Sequence, residues 1–203
     1  MRNTLELSDV SGGGAELFLY QSGYLTIKES DEFGYILGFP NEEVKQALYE
    51  TVLPALAMRS ENEIQSLQAG LYRELGTGQI DEAMNSLKAL IADVPYSNKK
   101  LASMDMEERY RLIISTIMNA IGLSVEVEKM ISTGRIDMTV KTSRYIYVIE
   151  LKLRNNGGKE AATEQILNRQ YMEPFKADKR KVIGLGIELD EEGKGLLDWK
   201  RAE

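Results

Sequence analysis

Apolar, β-branched and aromatic positions crowd residues 17–27 and 35–39 on either side of the acidic stretch Glu29-Ser30-Asp31-Glu32. The pattern predicts a β-hairpin, closed off by Pro40-Asn41. Asn41 stands where it can cap a helix running through Val44, Leu48, Val52 and Leu53 to Pro54 or shortly after. Apolar residues then recur at helical spacing twice, at Ile64, Leu67, Leu71 and Leu75 and again at Ile80, Met84, Leu87 and Ile91, with Gly76-Thr77-Gly78 between them. Such a pair reads as an αα-hairpin whose stripes need a packing partner, and they are read as core, not as cofactor contacts.

The order of elements changes after Pro95–Lys100, where a proline and small polar residues suggest a boundary. Tyr110, Ile113, Ile114, Ile117, Met118 and Ile121 form one helical face that stops at Gly122. Three strand-like runs follow, Leu123–Glu128, Arg135–Lys141 and Tyr145–Leu153, then a helix from about Gly158 to Tyr171 and an apolar strand at Lys181–Leu189. The chain therefore reads as α/β, with an α-β-β-β-α-β core in residues 99–203 and a mainly helical region carrying a β-hairpin in residues 1–98. The second part is expected to hold a complete core of its own. The opening residues end in Ser11-Gly12-Gly13-Gly14, a flexible stretch without the lysine of a phosphate-binding loop.

Composition narrows the chemistry more than the fold. With 43% hydrophobic and 28% charged residues over 203 positions, the chain has the make-up of an ordinary globular protein. It has no apolar run of eighteen residues and no signal-peptide order at its start, so it reads as cytoplasmic and not membrane-bound. Cysteine and histidine are both absent, which removes disulfides, thiol catalysis, the Ser-His-Asp triad and histidine- or thiolate-bound zinc. Hydrolytic chemistry is left to carboxylates, lysine, tyrosine or an oxygen-bound cation. The net charge of −7 hides an asymmetry: residues 1–98 carry 6 basic and 15 acidic side chains, residues 99–203 carry 19 and 17. Affinity for nucleic acid is therefore expected in the second half.

Strand alternation in Tyr145–Leu153 puts Ile146, Val148, Glu150 and Lys152 on one face, with Tyr147, Ile149, Leu151 and Leu153 on the other. Both faces start apolar, so the strand is central, and a glutamate and lysine emerging from it need each other, a cation or solvent. In the preceding run Asp137 and Thr139 face away from Ile136, Met138 and Val140. A tight turn brings Asp137 beside Glu150, and two such carboxylates repel unless a divalent cation neutralises them. Magnesium or manganese suits that donor set, because one or two carboxylates and retained water are its usual ligands. The bland alternative for Glu150 and Lys152 is a strand-end salt bridge.

The runs GRIDMTV and YIYVIELKL, followed by EAATEQILNRQYMEPF and KVIGLGIEL, resemble the PD-(D/E)XK nuclease domain at the C-terminus of a bacterial AAA-ATPase-like family. Upstream, QSGYLTIKESDEFGYILGFPNEEV resembles the segment joining ATPase and nuclease-like domains, so the likeness extends from about Leu17 to Trp199. The resemblance implies a restriction-endonuclease-like fold, Asp137 and Glu150 as metal ligands, the Leu151 carbonyl as an additional ligand and Lys152 as the catalytic lysine. It also implies a carboxylate from the first helix, matched best by Glu108 with Glu107 as the alternative. Gln165 and Tyr171 match a recurrent pattern near the site, in packing, hydrogen bonding or substrate contact. The proline that usually precedes the aspartate is Ile136 here.

Arg135, Lys141, Arg144, Arg154, Lys159 and Arg169, with Lys179, Arg180 and Lys181 further on, are candidates to track a phosphate backbone or to form an ordinary solvated surface; Arg135 and Arg154 are the foremost candidates. Tyr145 and Tyr147 read as core. The leading expectation is a Mg²⁺- or Mn²⁺-dependent nuclease acting on DNA. The alternative is a non-catalytic nuclease-fold module that binds or regulates within an ATPase-like system, and a third reading is a protein-interaction module using the acidic half. No Walker A sequence is present, so the chain is expected to be a shortened relative or a fragment, with an ATPase-like partner or self-association as its protein contacts.

Overall fold

The computed structural model describes residues 15–31, 34–57, 61–92 and 105–202. They fall into two compact units, Met1–Glu50 and Thr51–Glu203. In the first, a short helix α1 (Ala15–Gln21) precedes an antiparallel hairpin of β1 (Thr26–Asp31) and β2 (Gly34–Gly38). The hairpin expected from the sequence is present, but its first strand is shorter than 17–27. The apolar residues at 17–20 belong to a helix, ended where Gly23 turns left-handed at φ 81° and Leu25 N–H donates to Leu19 O. Glu29–Asp31, expected in the turn, lie in β1, and the turn itself falls outside the described residues. Helix α2 (Glu42–Ala57) begins as expected at Asn41, whose Oδ1 accepts from Val44 N–H at 2.9 Å. It continues through Pro54.

The second unit is built on a five-stranded mixed sheet. Its elements after α3 (Glu61–Thr77) and α4 (Ile80–Ala92) are α5 (Met106–Ala120), β3 (Ser124–Ile131), β4 (Gly134–Lys141), β5 (Tyr145–Leu153), α6 (Gly158–Asn168), β6 (Lys181–Leu189) and β7 (Leu196–Ala202). The strands lie in chain order, antiparallel from β3 to β5, parallel between β5 and β6 across the α6 connection, and antiparallel again to β7. The αα-hairpin and the first four strands of this sheet match the elements read from the sequence. β7 was not anticipated, because LLDWKRA mixes charge and apolar residues without clean alternation.

β5 is central and buried along both faces, as its nearly continuous apolar run requires. Ile146 and Val148 pack with Ile136, Ile166, Tyr171 and Phe175 in a core on the α6 side. α6 approaches the sheet closely over β6. A Cβ on Gly186 would stand 2.5 Å from Thr163 Oγ1 and 2.7 Å from Lys159 O, so only glycine permits that approach. On the other side, the α3–α4 hairpin joins α5 against the sheet. Leu71, Leu75, Ile80, Met84, Leu87 and Ile91 are all buried, and Tyr147 Oη, in the middle of β5, donates to Leu75 O at 2.6 Å. Trp199 Nε1 donates to Asp81 Oδ1 at 3.0 Å, and Lys88 Nζ to Leu197 O at 3.1 Å, so α4 is also stitched to β7.

The domain boundary expected at Pro95–Lys100 lies outside the described residues, and α3 and α4 before it share one compact unit with residues 105–202 after it. The stripes of α3 and α4 find their packing partner in the C-terminal sheet. Leu87→Ala should therefore lower stability by about 2–5 kcal/mol, as for other fully buried leucines. A fragment starting at residue 99 should lack a cooperative thermal transition that the fragment 51–203 retains. Chemical denaturation of the variant and melts of the two fragments check both, and a neutral Leu87→Ala would make α4 a mere connector.

Candidate active site

The pairing Met138↔Ile149 between β4 and β5 brings Asp137 and Glu150 side by side one step further on. Glu150 Oε2 accepts from Asp137 N–H at 3.5 Å, and Asp137 Oδ2 accepts from Leu151 N–H at 2.9 Å. The two carboxylates are thus laced across the gap where the strands part. Glu150 is 1% exposed. Burial, and then the neighbouring charge of Asp137, push its carboxyl up to about 8, against a pull the other way from Lys152. Lys152 Nζ lies 3.9 Å from Glu150 Oε1 on the same strand, with 23% of its side chain exposed.

A break in strand alternation sets the direction of Asp137. β3 and β4 pair through Val127↔Met138 and again at Lys129↔Ile136, but the step between, Glu128 opposite Asp137, is skipped. Glu128 there has φ 53°, a left-handed conformation uncommon for a residue with a side chain. Beyond the skip the strand faces exchange. Ile136 joins the α6-side core, and its partner Lys129 places Nζ 5.6 Å from the centre of the Phe175 ring. Ile136 therefore does not share a face with Met138 and Val140, as simple alternation predicts. Glu128 and Asp137 instead both reach Arg111 of α5, at 3.2 Å and 3.1 Å. Sequence reasoning missed Arg111. Its only signal was a basic residue flanking the apolar face of that helix.

α6 supplies the other wall. Gln165 Nε2 donates to Glu150 Oε1 and lies 3.4 Å from Tyr171 Oη. Gln165 and Tyr171 are thereby brought to the site. Tyr171 is itself buried, with its hydroxyl against Gly134 at the tip of the β3–β4 hairpin, where a Cβ would stand 2.9 Å from it. Thr133 Oγ1 donates to Arg169 O at 2.5 Å, which pins the same tip to the end of α6.

The two first-helix candidates separate. Asp105 caps α5 by accepting from Glu107 N–H and Glu108 N–H at 3.0 and 3.4 Å. Glu107 Oε1 accepts from Leu153 N–H at 3.2 Å and Asn156 Nδ2 at 3.1 Å, and its Oε2 stands 3.9 Å from Lys152 Nζ. The Glu108 carboxylate takes part in none of these contacts. Arg135 and Arg154 are each paired, Arg135 with Glu128 at 3.0 Å and Arg154 with Glu188 at 2.8 Å.

Among the described residues, no three carboxylates converge as a metal-binding group. The donor set still fits a hard cation: one buried carboxyl, a second carboxylate beside it and the backbone of Leu151 between them, with Lys152 at the rim. A cation held there would offset both the burial and the Asp137 repulsion that push the Glu150 carboxyl up.

Residues 105–199 match the family model of the PD-(D/E)XK nuclease superfamily, which suggests a nuclease-type function for this part of the chain. Over 210 residues the chain is 28% identical to "Uncharacterized protein in vnfD 5'region" of Azotobacter chroococcum mcd 1, a match covering 97% of this chain and 38% of that protein. The chain thus spans well under half the length of that relative. No solved structure matches it.

The raised carboxyl of Glu150 fixes the sign of a pH dependence. Between its ordinary value of 4.5 and the folded value of about 8, the folded state holds a proton that the unfolded chain has released, so stability falls as pH rises through this window. Metal-free wild type should melt lower at a pH of about 8.5 than at about 5.5, and Glu150→Gln should remove that component and melt above wild type at the higher pH. A Glu150→Gln protein that melts well below wild type at both pH values would mark Glu150 as the partner of a structural salt bridge with Lys152.

Proposed function

We propose that the chain is a divalent-metal-dependent nuclease that hydrolyses phosphodiester bonds of DNA. One observation carries this reading: a buried Glu150 and Asp137, held within hydrogen-bond reach of each other's strand, with Lys152 3.9 Å from Glu150. A structural ion pair has no use for the second carboxylate. Asp137, Glu150 and the carbonyl of Leu151 would hold a magnesium- or manganese-type cation, which when bound polarises the phosphate and acidifies a water.

The chain's own residues do the rest. Lys152 turns its ammonium toward the attacking water and offsets negative charge building on the phosphate oxygens as the new P–O bond forms and the old one breaks. Glu107, which touches Lys152 and the backbone of Leu153, fixes where that ammonium points. Gln165 holds one oxygen of Glu150, and Arg111 holds one of Asp137, so that neither carboxylate rotates away from the other. Gln165 and Glu107 are therefore positioning residues, and Glu107 takes the first-helix place for which Glu108 was the stronger sequence candidate. Cytoplasmic placement and an ATPase-like partner belong to the same reading. The latter is supported by the resemblance of residues 21–44 to the segment that joins an ATPase to a nuclease-like domain.

A second reading, a non-catalytic nuclease-fold module, is favoured by the Arg111–Asp137 pair, because a guanidinium can balance that carboxylate with no metal at all. The two separate in one set of measurements. For the nuclease, Mn²⁺ should raise the melting temperature of wild type and support nicking of plasmid DNA. Asp137→Asn, Glu150→Gln and Lys152→Ala should each cut the rate by about a hundredfold or more. Gln165→Leu and Glu107→Gln should lower it by about 10–100-fold, as outer-shell changes do. No melting shift with Mn²⁺ or Mg²⁺, together with no cleavage of DNA or RNA, leaves the non-catalytic module.

A further inference from the structure

Charge is arranged differently at the two ends of the sheet. At the end bearing Glu150, Arg111, Arg135, Lys152, Arg154 and Lys159 pair with Asp137, Glu128, Glu107, Glu188 and Asp198 respectively. Arg169, at the β3–β4 tip, donates to Thr133 O and has no carboxylate within ion-pair distance among the described residues, so most of the positive charge at this end is already balanced.

The opposite end is where the β4–β5 turn meets the start of β6. Residues 141–144 and 178–181 together hold five cations and one carboxylate, in a chain whose net charge is −7. The backbone gathers them: Lys181 is the cross-strand partner of Tyr145, and its N–H donates to Arg144 O at 2.9 Å. Arg180 is paired with Asp178 at 2.7 Å and donates from Nη1 to Thr142 O at 3.3 Å, which ties the two segments together. The arginine holds the Asp178 carboxyl well below the usual carboxylate range. Arg144, Lys179 and Lys181 are exposed and have no carboxylate within ion-pair distance among the described residues. The large apolar side chains exposed elsewhere, Val127, Met130, Leu112 and Leu167 among them, are absent from both segments.

We propose that this end of the sheet is a phosphate-contact surface, which holds a nucleic-acid backbone away from the catalytic end. The proposal rests on the nucleic-acid reading of the site. A protein partner would need apolar anchors as well as charge, and these segments offer none. A phosphate backbone needs only cations and small hydrogen-bonding groups, and Thr142 and Ser143 stand between Lys141 and Arg144. Five steps along β5 separate Tyr145 from Glu150, roughly 17 Å, so this surface stands well away from the bond to be cut.

The test uses the full chain without divalent cation, so that binding is read apart from cleavage. Fluorescence anisotropy with 24-base-pair DNA and RNA duplexes is measured over a series of salt concentrations, for wild type and for the triple variant Arg144→Glu/Lys179→Glu/Lys181→Glu. A milder Arg144→Gln/Lys179→Gln/Lys181→Gln variant and thermal melts guard against misfolding. The variant should lose at least tenfold in affinity, and its slope of log K against log salt should be shallower by about 2–3, near 0.9 for each phosphate contact removed. Its Mn²⁺-induced melting shift should equal that of wild type. Equal affinity and slope for wild type and variant would overturn the proposal, as would wild-type binding to neither duplex. So would equal, equally charge-sensitive binding to polyglutamate, which would assign the surface to acidic protein. A missing Mn²⁺ shift in wild type counts against the nuclease reading alone, because the anisotropy needs no metal.

Discussion

A carboxylate taken almost wholly out of water, on the central strand of a sheet and beside a second carboxylate, is the constraint around which the C-terminal unit is arranged. An ionised group in such a place is expensive unless it is paired, protonated or bound to a cation. Glu150 meets that requirement by surrounding itself with donors: the Asp137 N–H, the Gln165 amide and, at the rim, the Lys152 ammonium. Each donor comes from a different element, so the site is only as well defined as the packing that brings β4, β5 and α6 together. The close seating of α6 over Gly186, the cross-neighbour of Glu150 on β6, is thus as much a part of the site as the carboxylates.

Asp137 obeys a different logic. It is partly exposed, and its geometry follows from the skipped step in the β3–β4 ladder, where Glu128 is left-handed and Arg111 spans both acids. A residue held in a sparsely populated conformation persists only when its surroundings over-determine it. Glu128 has two arginines to do so, Arg111 and Arg135. The site therefore has one wall built by burial and one built by charge, and these respond to different perturbations. The first is sensitive to packing volume, the second to ionic strength.

Much of this was legible in the residues. The order of helices and strands from Met106 to Leu189 followed from periodicity, and β5 showed itself as central because it is apolar on both faces. Asp137, Glu150 and Lys152 could be brought together by alternation and a tight turn alone. Three things could not be read. The first was the exchange of faces at Asp137, since nothing in the run EKMISTGRIDM announces a left-handed glutamate. The second was the choice between Glu107 and Glu108, neighbours on one helix turn, which depends on how α5 is rotated over the end of β5. The third was the pairing of Arg135 and Arg154, because whether a basic residue is free or tied depends on the fold: Arg135 meets Glu128 across the β3–β4 hairpin, and Arg154 meets Glu188, distant in the chain. The place of α3 and α4 escaped for a related reason. Their stripes show that they pack, but not on what.

The tip of the β3–β4 hairpin looks like an ordinary surface turn, the sort of place where proteins gain and lose residues freely as they diverge. Here it is seated twice against the segment that follows α6, by Thr133 donating to Arg169 O and by the close approach of bare Gly134 to the Tyr171 hydroxyl. Asp137 lies three residues along the same strand. Lengthening the tip by a residue would displace Thr133 or Gly134 from these seats and loosen the start of the strand that carries Asp137. The hairpin is consequently a fixed-length ruler, and evolutionary drift in loop length has to find its room elsewhere in the chain.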